Sequence, residues 1–225
     1  AAAVTNALKV VGKSIEDVRV VISGAGAAGI AVGKLLMTFG VQHLAYSDID
    51  GPVYKGRPGL ASNPYLAQMA EITNLGGVTT SMADLMKGAD VFIGVSAPGI
   101  VTPEMVKSMN EKPVLFAMAN PVPEIDYHLA LEAGAAVMGT GRSDFPNQIN
   151  NLMAFPGVFR GALDVRARDI NDEMKIAAAK AIAALIPDEE LTPECILPSP
   201  LDERLAPAVS KAVAEAARAS GVERV

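Results

Sequence analysis

Short, almost wholly apolar runs alternate with helix-forming stretches along the first 141 residues, and this alternation restricts the fold more than any other feature. Residues 18–23, 41–48, 89–96, 112–120 and 135–141 read as strands. Residues 27–40, 63–73, 81–88, 102–109 and 124–134 read as helices, with Asn63 and Ser81 as caps, Pro64 in a first turn and Gly40 as a stop. Strands apolar on both faces are covered on both faces, which means a parallel sheet with helical crossovers. Right-handed crossovers then give an α/β, doubly wound, mainly parallel sheet. After residue 141 the rhythm changes. Residues 141–161 are rich in Asn, Gly and Pro and read as a loop, followed by helices over 171–186 and 205–220. This tail is expected to pack back on the sheet, making residues 1–225 one domain with C-terminal helices. The first helix, over residues 1–12, has no capping residue before it and is expected to continue from a preceding segment.

Composition narrows the function. No apolar run reaches the length of a membrane-spanning helix free of charge or glycine, and the amino end lacks a signal-peptide pattern. A net charge of −6 with 4% aromatic residues does not make a phosphate-backbone surface, so neither nucleic acid nor membrane is an expected partner. The single cysteine, Cys195, excludes an internal disulfide and a multi-cysteine metal site, and a reducing cytoplasm is the expected compartment. Cys195 itself reads as a small buried apolar residue. His43 and His128, in strand and helix patterns, read as structural.

Within the alternation, "VVISGAGAAGIAVGKLL" at residues 20–36 carries chemistry. A strand, a glycine turn and a helix place backbone N–H groups and the positive end of a helix dipole where a phosphate can sit. Gly24 permits the turn, Gly26 admits the pyrophosphate, and Gly29 lets helix lie on strand. With both flanking elements present, this is a Rossmann-type dinucleotide site. Asp48, at the end of the next strand, has the position of a ribose-binding carboxylate and favours NAD over NADP; Lys55 or Arg57, just downstream, are the alternative and would hold a 2′-phosphate. Ser96 and Ala97, in a small-residue loop with Pro98 and Gly99, fit close approach to a flat cofactor. Asn120, at another strand end, has a carboxamide that donates and accepts. Asn147, Gln148, Asn150 and Asn151 form a polar cluster that is mostly a surface turn or a polar-substrate contact. No nucleophile paired with a base and no metal-ligand spacing is apparent, so the chemistry expected is hydride transfer by the cofactor.

Taken together, "SGAGAAGIA", "SDIDGPVYKGR", "GVSAPGIVTPEMV", "ANPVPEI", "GRSDFPNQINNLMAFPGVFRGALD" and "ILPSPLDERLAPAVSKAVAEAA" resemble the NAD(P)-binding domain of malic enzymes of the compact bacterial type, in motif order and over essentially the whole chain. The resemblance implies oxidation of (S)-malate to pyruvate and CO2 with NAD or NADP and Mg2+ or Mn2+. It implies that Gly24, Gly26, Ala27, Ala28, Gly29 and Ile30 hold the pyrophosphate, that Asn120 lies beside the nicotinamide ribose and substrate, and that Asn151 binds the malate carboxylate. It also implies a homodimer or larger assembly. The family's catalytic tyrosine, lysine base and metal ligands have no counterpart in this chain, and Tyr46, Tyr54, Tyr65 and Tyr127 do not match the catalytic position. They are expected in a missing N-terminal domain, leaving this chain inactive alone. Two other readings compete: another dehydrogenase of related architecture, such as an amino-acid dehydrogenase, and a non-catalytic nucleotide-sensing module. The first shares the glycine turn but does not explain "FPNQINN"; the second needs the same glycines and no substrate asparagines.

Overall fold

The computed structural model describes residues 1–224. By its contacts the chain groups into two compact units, Ala1–Val10 with the residues from Asn147 onward, and Val11–Pro146. The break falls close to residue 141, where the strand–helix rhythm ends, although the sequence reads as one domain.

The unit Val11–Pro146 is built on a six-stranded sheet. Its strands are β1 (Arg19–Ser23), β2 (His43–Asp48), β3 (Gly51–Pro52), β4 (Val91–Gly94), β5 (Val114–Ala117) and β6 (Val137–Thr140), in the order β3-β2-β1-β4-β5-β6. All neighbours are parallel except β2 and β3. The edge strand β3 was not apparent from the sequence. Residues 48–51 turn through the fully exposed Ile49 and the exposed Asp50, and Pro52 is tolerated because it sits on an edge. The helices are α2 (Ala27–Thr38), α3 (Pro64–Ile72), α4 (Met82–Met86), α5 (Pro103–Lys107) and α6 (Tyr127–Glu132). Side chains cap four of them: Asn63 for α3, Ser81 for α4, Thr102 for α5 and Asp126 for α6. The expected helix over 124–134 therefore starts later, at Tyr127, and Glu124 lies in the loop before it.

Alternate residues of each buried strand face opposite layers. Val21, Phe92, Leu115 and Met138 pack with Leu85, Met86, Val106 and Ala130 of α4, α5 and α6. Ile22 and Tyr46 face α2, where Gly33 makes room; a Cβ there would overlap the Tyr46 hydroxyl. That hydroxyl is buried and has no hydrogen-bond partner. Burial pushes its pKa up to about 12. The unfolded chain gives up the same proton near 10, so the native state holds it longer and stability falls as pH rises between about 10 and 12. Tyr46→Phe is expected to match or exceed the native protein at pH 7, by about 1 kcal/mol, because an unpaired buried hydroxyl is removed. At pH 11 its advantage should grow by a further 1–2 kcal/mol, to order of magnitude, in denaturant melts run side by side. A constant difference across pH would refute the assignment.

The other unit contains α1 (Ala2–Val11, all but its last residue), α7 (Phe155–Asp164), α8 (Asp172–Ala183) and α9 (Leu205–Ala219). The observed α7 corrects the reading of residues 141–161 as loop. Its glycines are packing contacts: a Cβ on Gly157 would lie 2.5 Å from that of Val209, and one on Gly161 would meet the Ser210 carbonyl oxygen. At a spacing of four residues they let α7 and α9 approach backbone to backbone. Met153, Met174, Ile182, Val209 and Val213 fill the core of this unit. Asn6, fully buried, donates to the Ala183 and Ile196 carbonyls at 2.9 Å each. Cys195 is half-buried instead of buried, and His43 and His128 are exposed. No helix among the described residues is long and apolar enough to cross a membrane.

Candidate functional site

In an open parallel sheet, ligands bind beyond the carboxyl ends of the strands where the strand order reverses. Here the reversal is between β1 and β4. The expected cofactor residues of this unit follow the carboxyl ends of four neighbouring strands: Gly24 after β1, Asp48 ending β2, Ser96 and Ala97 after β4, and Asn120 after β5. Ser96, Ala97 and Asn120 are exposed. A cavity of about 380 Å³ opens at the opposite edge, lined by Arg19, His43, Leu44 and Asn74, and contains none of them.

The three glycines do different physical work. Gly24 has φ +104°, and a Cβ there would lie 2.6 Å from the Val95 carbonyl oxygen. Gly29 is pressed against the Gly24 carbonyl, which a Cβ would overlap. Both are required by the turn itself. Gly26 is not: its φ is −80°, open to any residue, and nothing lies within 4 Å of where a Cβ would be. Its missing side chain leaves open space at the start of α2. Gly26 as N-cap offers that helix no side-chain acceptor, so first-turn N–H groups remain available. Gly26, Ala27 and Ala28 are exposed. Ile30 departs from expectation: it is buried, and its N–H donates to the Gly26 carbonyl at 3.0 Å, so it has no donor to offer a phosphate. This backbone cradle fits a pyrophosphate.

Asp48 and Arg57, expected as competing selectors, form one unit. Arg57 Nη1 and Nη2 donate to the two Asp48 carboxylate oxygens at 2.7 and 2.6 Å, a bidentate pair, and the Asp50 N–H donates to Oδ1 at 2.9 Å. Burial pushes the Asp48 carboxyl upward, but the Arg57 guanidinium and the Asp50 N–H outweigh it and hold it below the usual range. Arg57 is raised by the same hydrogen bond. Lys55 instead pairs with Glu71 at 2.7 Å in solvent.

Sequence reading missed Glu124. It is fully buried, yet its carboxylate accepts from the N–H groups of Ser96 at 2.8 Å and Ala119 at 3.0 Å. A lone acid in "NPVPEI" gives no periodicity signal of burial, and the sequence reads it as the first residue of a helix.

Asn151 belongs to the other unit, exposed in a short 3₁₀ turn, Asn151–Met153, capped by the Asn150 side chain. Asn147 is buried, donates to the Pro193 carbonyl at 2.8 Å and accepts from the Ile196 N–H at 3.0 Å, so it is a structural member of the polar cluster. Among the described residues, no three His, Cys, Asp or Glu side chains gather as a metal site.

Comparison with known proteins places this arrangement. Residues 1–219 match the family described as malic enzyme, NAD binding domain. The bifunctional malic/malolactic enzyme of Bacillus subtilis (strain 168) is 54% identical over 224 residues, which are 100% of this chain and 54% of that protein. The NAD-dependent malic enzyme of Geobacillus stearothermophilus is 52% identical over 99% of this chain and 46% of its own length. The crystal structure of the Entamoeba histolytica malic enzyme superposes with a TM-score of 0.94 at 40% identity, covering 100% of this chain and 47% of that one. The chain thus spans about half the length of these relatives. By family match, sequence and fold alike, the chain belongs to the malic enzymes, as their NAD-binding domain.

Proposed function

We propose that this chain binds NAD or NADP across the carboxyl ends of β2, β1, β4 and β5 and serves as the cofactor-binding part of an enzyme that converts (S)-malate to pyruvate and CO2. The observation that carries the reading is Gly26: a residue whose missing side chain the protein itself does not need, in front of an uncapped helix. In the proposed complex the first turn of α2 holds the pyrophosphate and Asp48 accepts from the adenosine ribose. Its carboxylate has about four acceptor positions, and three are used by Arg57 and Asp50, so one hydroxyl can still be received. The nicotinamide half then lies toward Ser96, Ala97 and Asn120. When bound, the cofactor would supply the hydride acceptor for malate C2, and the chain's own groups would hold and orient it. Asn120 donates to the nicotinamide ribose or the substrate, and Asn151 donates to the malate carboxylate.

Relatives named for NAD and for NADP both match this chain. NAD is favoured here because Asp48 already occupies Arg57, and a 2′-phosphate would have to displace it. The tyrosine, lysine and Mg2+ or Mn2+ ligands of the reaction are supplied by the part of the enzyme outside this chain, so the chain alone binds nucleotide without turnover. The full enzyme acts as a homodimer or larger in a reducing cytoplasm. The test is a titration of the 225-residue chain with NADH, read by nicotinamide fluorescence, which no tryptophan disturbs. Saturable binding, with NADPH weaker, is expected; absence of binding by either nucleotide would overturn the reading.

A further inference from the structure

Glu124 has no solvent exposure, and nothing in the proposed function uses it. Its carboxylate joins loops from three neighbouring strands. Oε1 accepts from the Ser96 N–H at 2.8 Å and lies 3.3 Å from the Ser96 hydroxyl, while Oε2 accepts from the Ala119 N–H at 3.0 Å. Ser96 Oγ lies 2.9 Å from Oγ of Ser23, the residue before Gly24. One carboxylate thus ties the ends of β4 and β5 directly and the end of β1 through a hydroxyl.

The backbone around it does a different job. The Gly99 N–H donates to the Pro123 carbonyl at 3.1 Å and the Val101 N–H to that of Glu124 at 3.0 Å, pinning the base of the β4–α5 loop. The carboxylate reaches back to the residues nearest the strand ends. The sheet makes room for it: a Cβ on Gly94, which ends β4, would collide with the Glu124 carboxyl group. A buried carboxylate is costly unless its oxygens are satisfied, and the N–H groups it receives would be costly to leave unpaired.

We propose that Glu124 is a positioning residue: its buried carboxylate holds Ser96–Ala97 and Ala119–Asn120 in the arrangement that receives the nicotinamide half of the dinucleotide, and leaves the adenosine half at Asp48 unaffected. This rests on the cofactor reading above. Glu124→Gln keeps the shape but turns one oxygen into an NH2 group, which faces an N–H instead of accepting from it. The 225-residue chain and the variant are titrated with NADH and with ADP, which lacks both the nicotinamide and its ribose, while thermal melts report folding. NADH is expected to bind the variant about tenfold more weakly, ADP within about twofold of the native chain. Parallel loss of both ligands, which general loosening would produce, or loss of neither, overturns the proposal. Should the variant fail to fold, amide hydrogen exchange on the unaltered, ligand-free chain decides: protection of the Ser96 and Ala119 N–H groups supports the clasp, and rapid exchange at both overturns it. If the native chain binds neither NADH nor ADP, the cofactor reading falls and takes this one with it; the other unfavourable outcomes remove the clasp alone.

Discussion

Gly26→Ala is expected to leave the melting temperature of the chain unchanged and to weaken NADH binding by at least about thirtyfold. The added methyl meets no protein atom within 4 Å, and the backbone at φ −80° suits alanine. Such a change touches stability by no more than about 0.5 kcal/mol. The space it fills is the space a pyrophosphate would need to approach the start of α2. Gly29→Ala, three residues later, is expected to do the reverse. Its methyl would overlap the Gly24 carbonyl oxygen, so the helix must lift from the turn, at a cost of about 3 kcal/mol by analogy with overpacked cores. That variant should melt well below the native chain and lose the nucleotide together with its fold. Thermal melts and NADH titrations on both variants check the pair. Native-like binding by Gly26→Ala would move the pyrophosphate elsewhere, whatever Gly29→Ala does.

The two glycines also show what the sequence could express. Period and composition revealed the sheet, because strands covered on both faces must be apolar on both, and Val20–Ile22, Val91–Ile93 and Val114–Phe116 are. The glycine turn was legible because only glycine fits Gly24 and Gly29. What stayed hidden depended on partners far away in the chain. Gly157 and Gly161 looked like loop residues, since their reason lies on α9, about fifty positions on. Glu124 looked like the start of a helix, since its partners Ser96 and Ala119 sit on two other segments. Asp48 and Arg57 were both visible, but as rivals. Spacing alone does not show that the short β2–β3 hairpin brings a guanidinium back onto the strand end.

That pair makes the strongest expectation about cofactor choice. Asp48→Ser should shift the ratio of NADH to NADPH affinity toward NADPH by about a hundredfold. The carboxylate that would repel a 2′-phosphate is removed, and Arg57 is released in the same step. The Arg57 side chain is only 8% exposed and would otherwise keep just the Gly51 and Pro52 carbonyls, at 3.2 and 3.4 Å. A buried guanidinium without its carboxylate is costly, so the ligand-free variant should lose about 3 kcal/mol of stability. A 2′-phosphate replaces the lost anion at the same place, whereas the 2′-hydroxyl of NADH does not. At equal concentration NADPH is therefore expected to raise the melting temperature of Asp48→Ser more than NADH, because the stabilisation a ligand gives grows with the ratio of its concentration to its Kd. If the affinity ratio does not move and both nucleotides stabilise the variant equally, the adenosine ribose is not read at Asp48, and selection between the two cofactors lies with residues away from this hairpin.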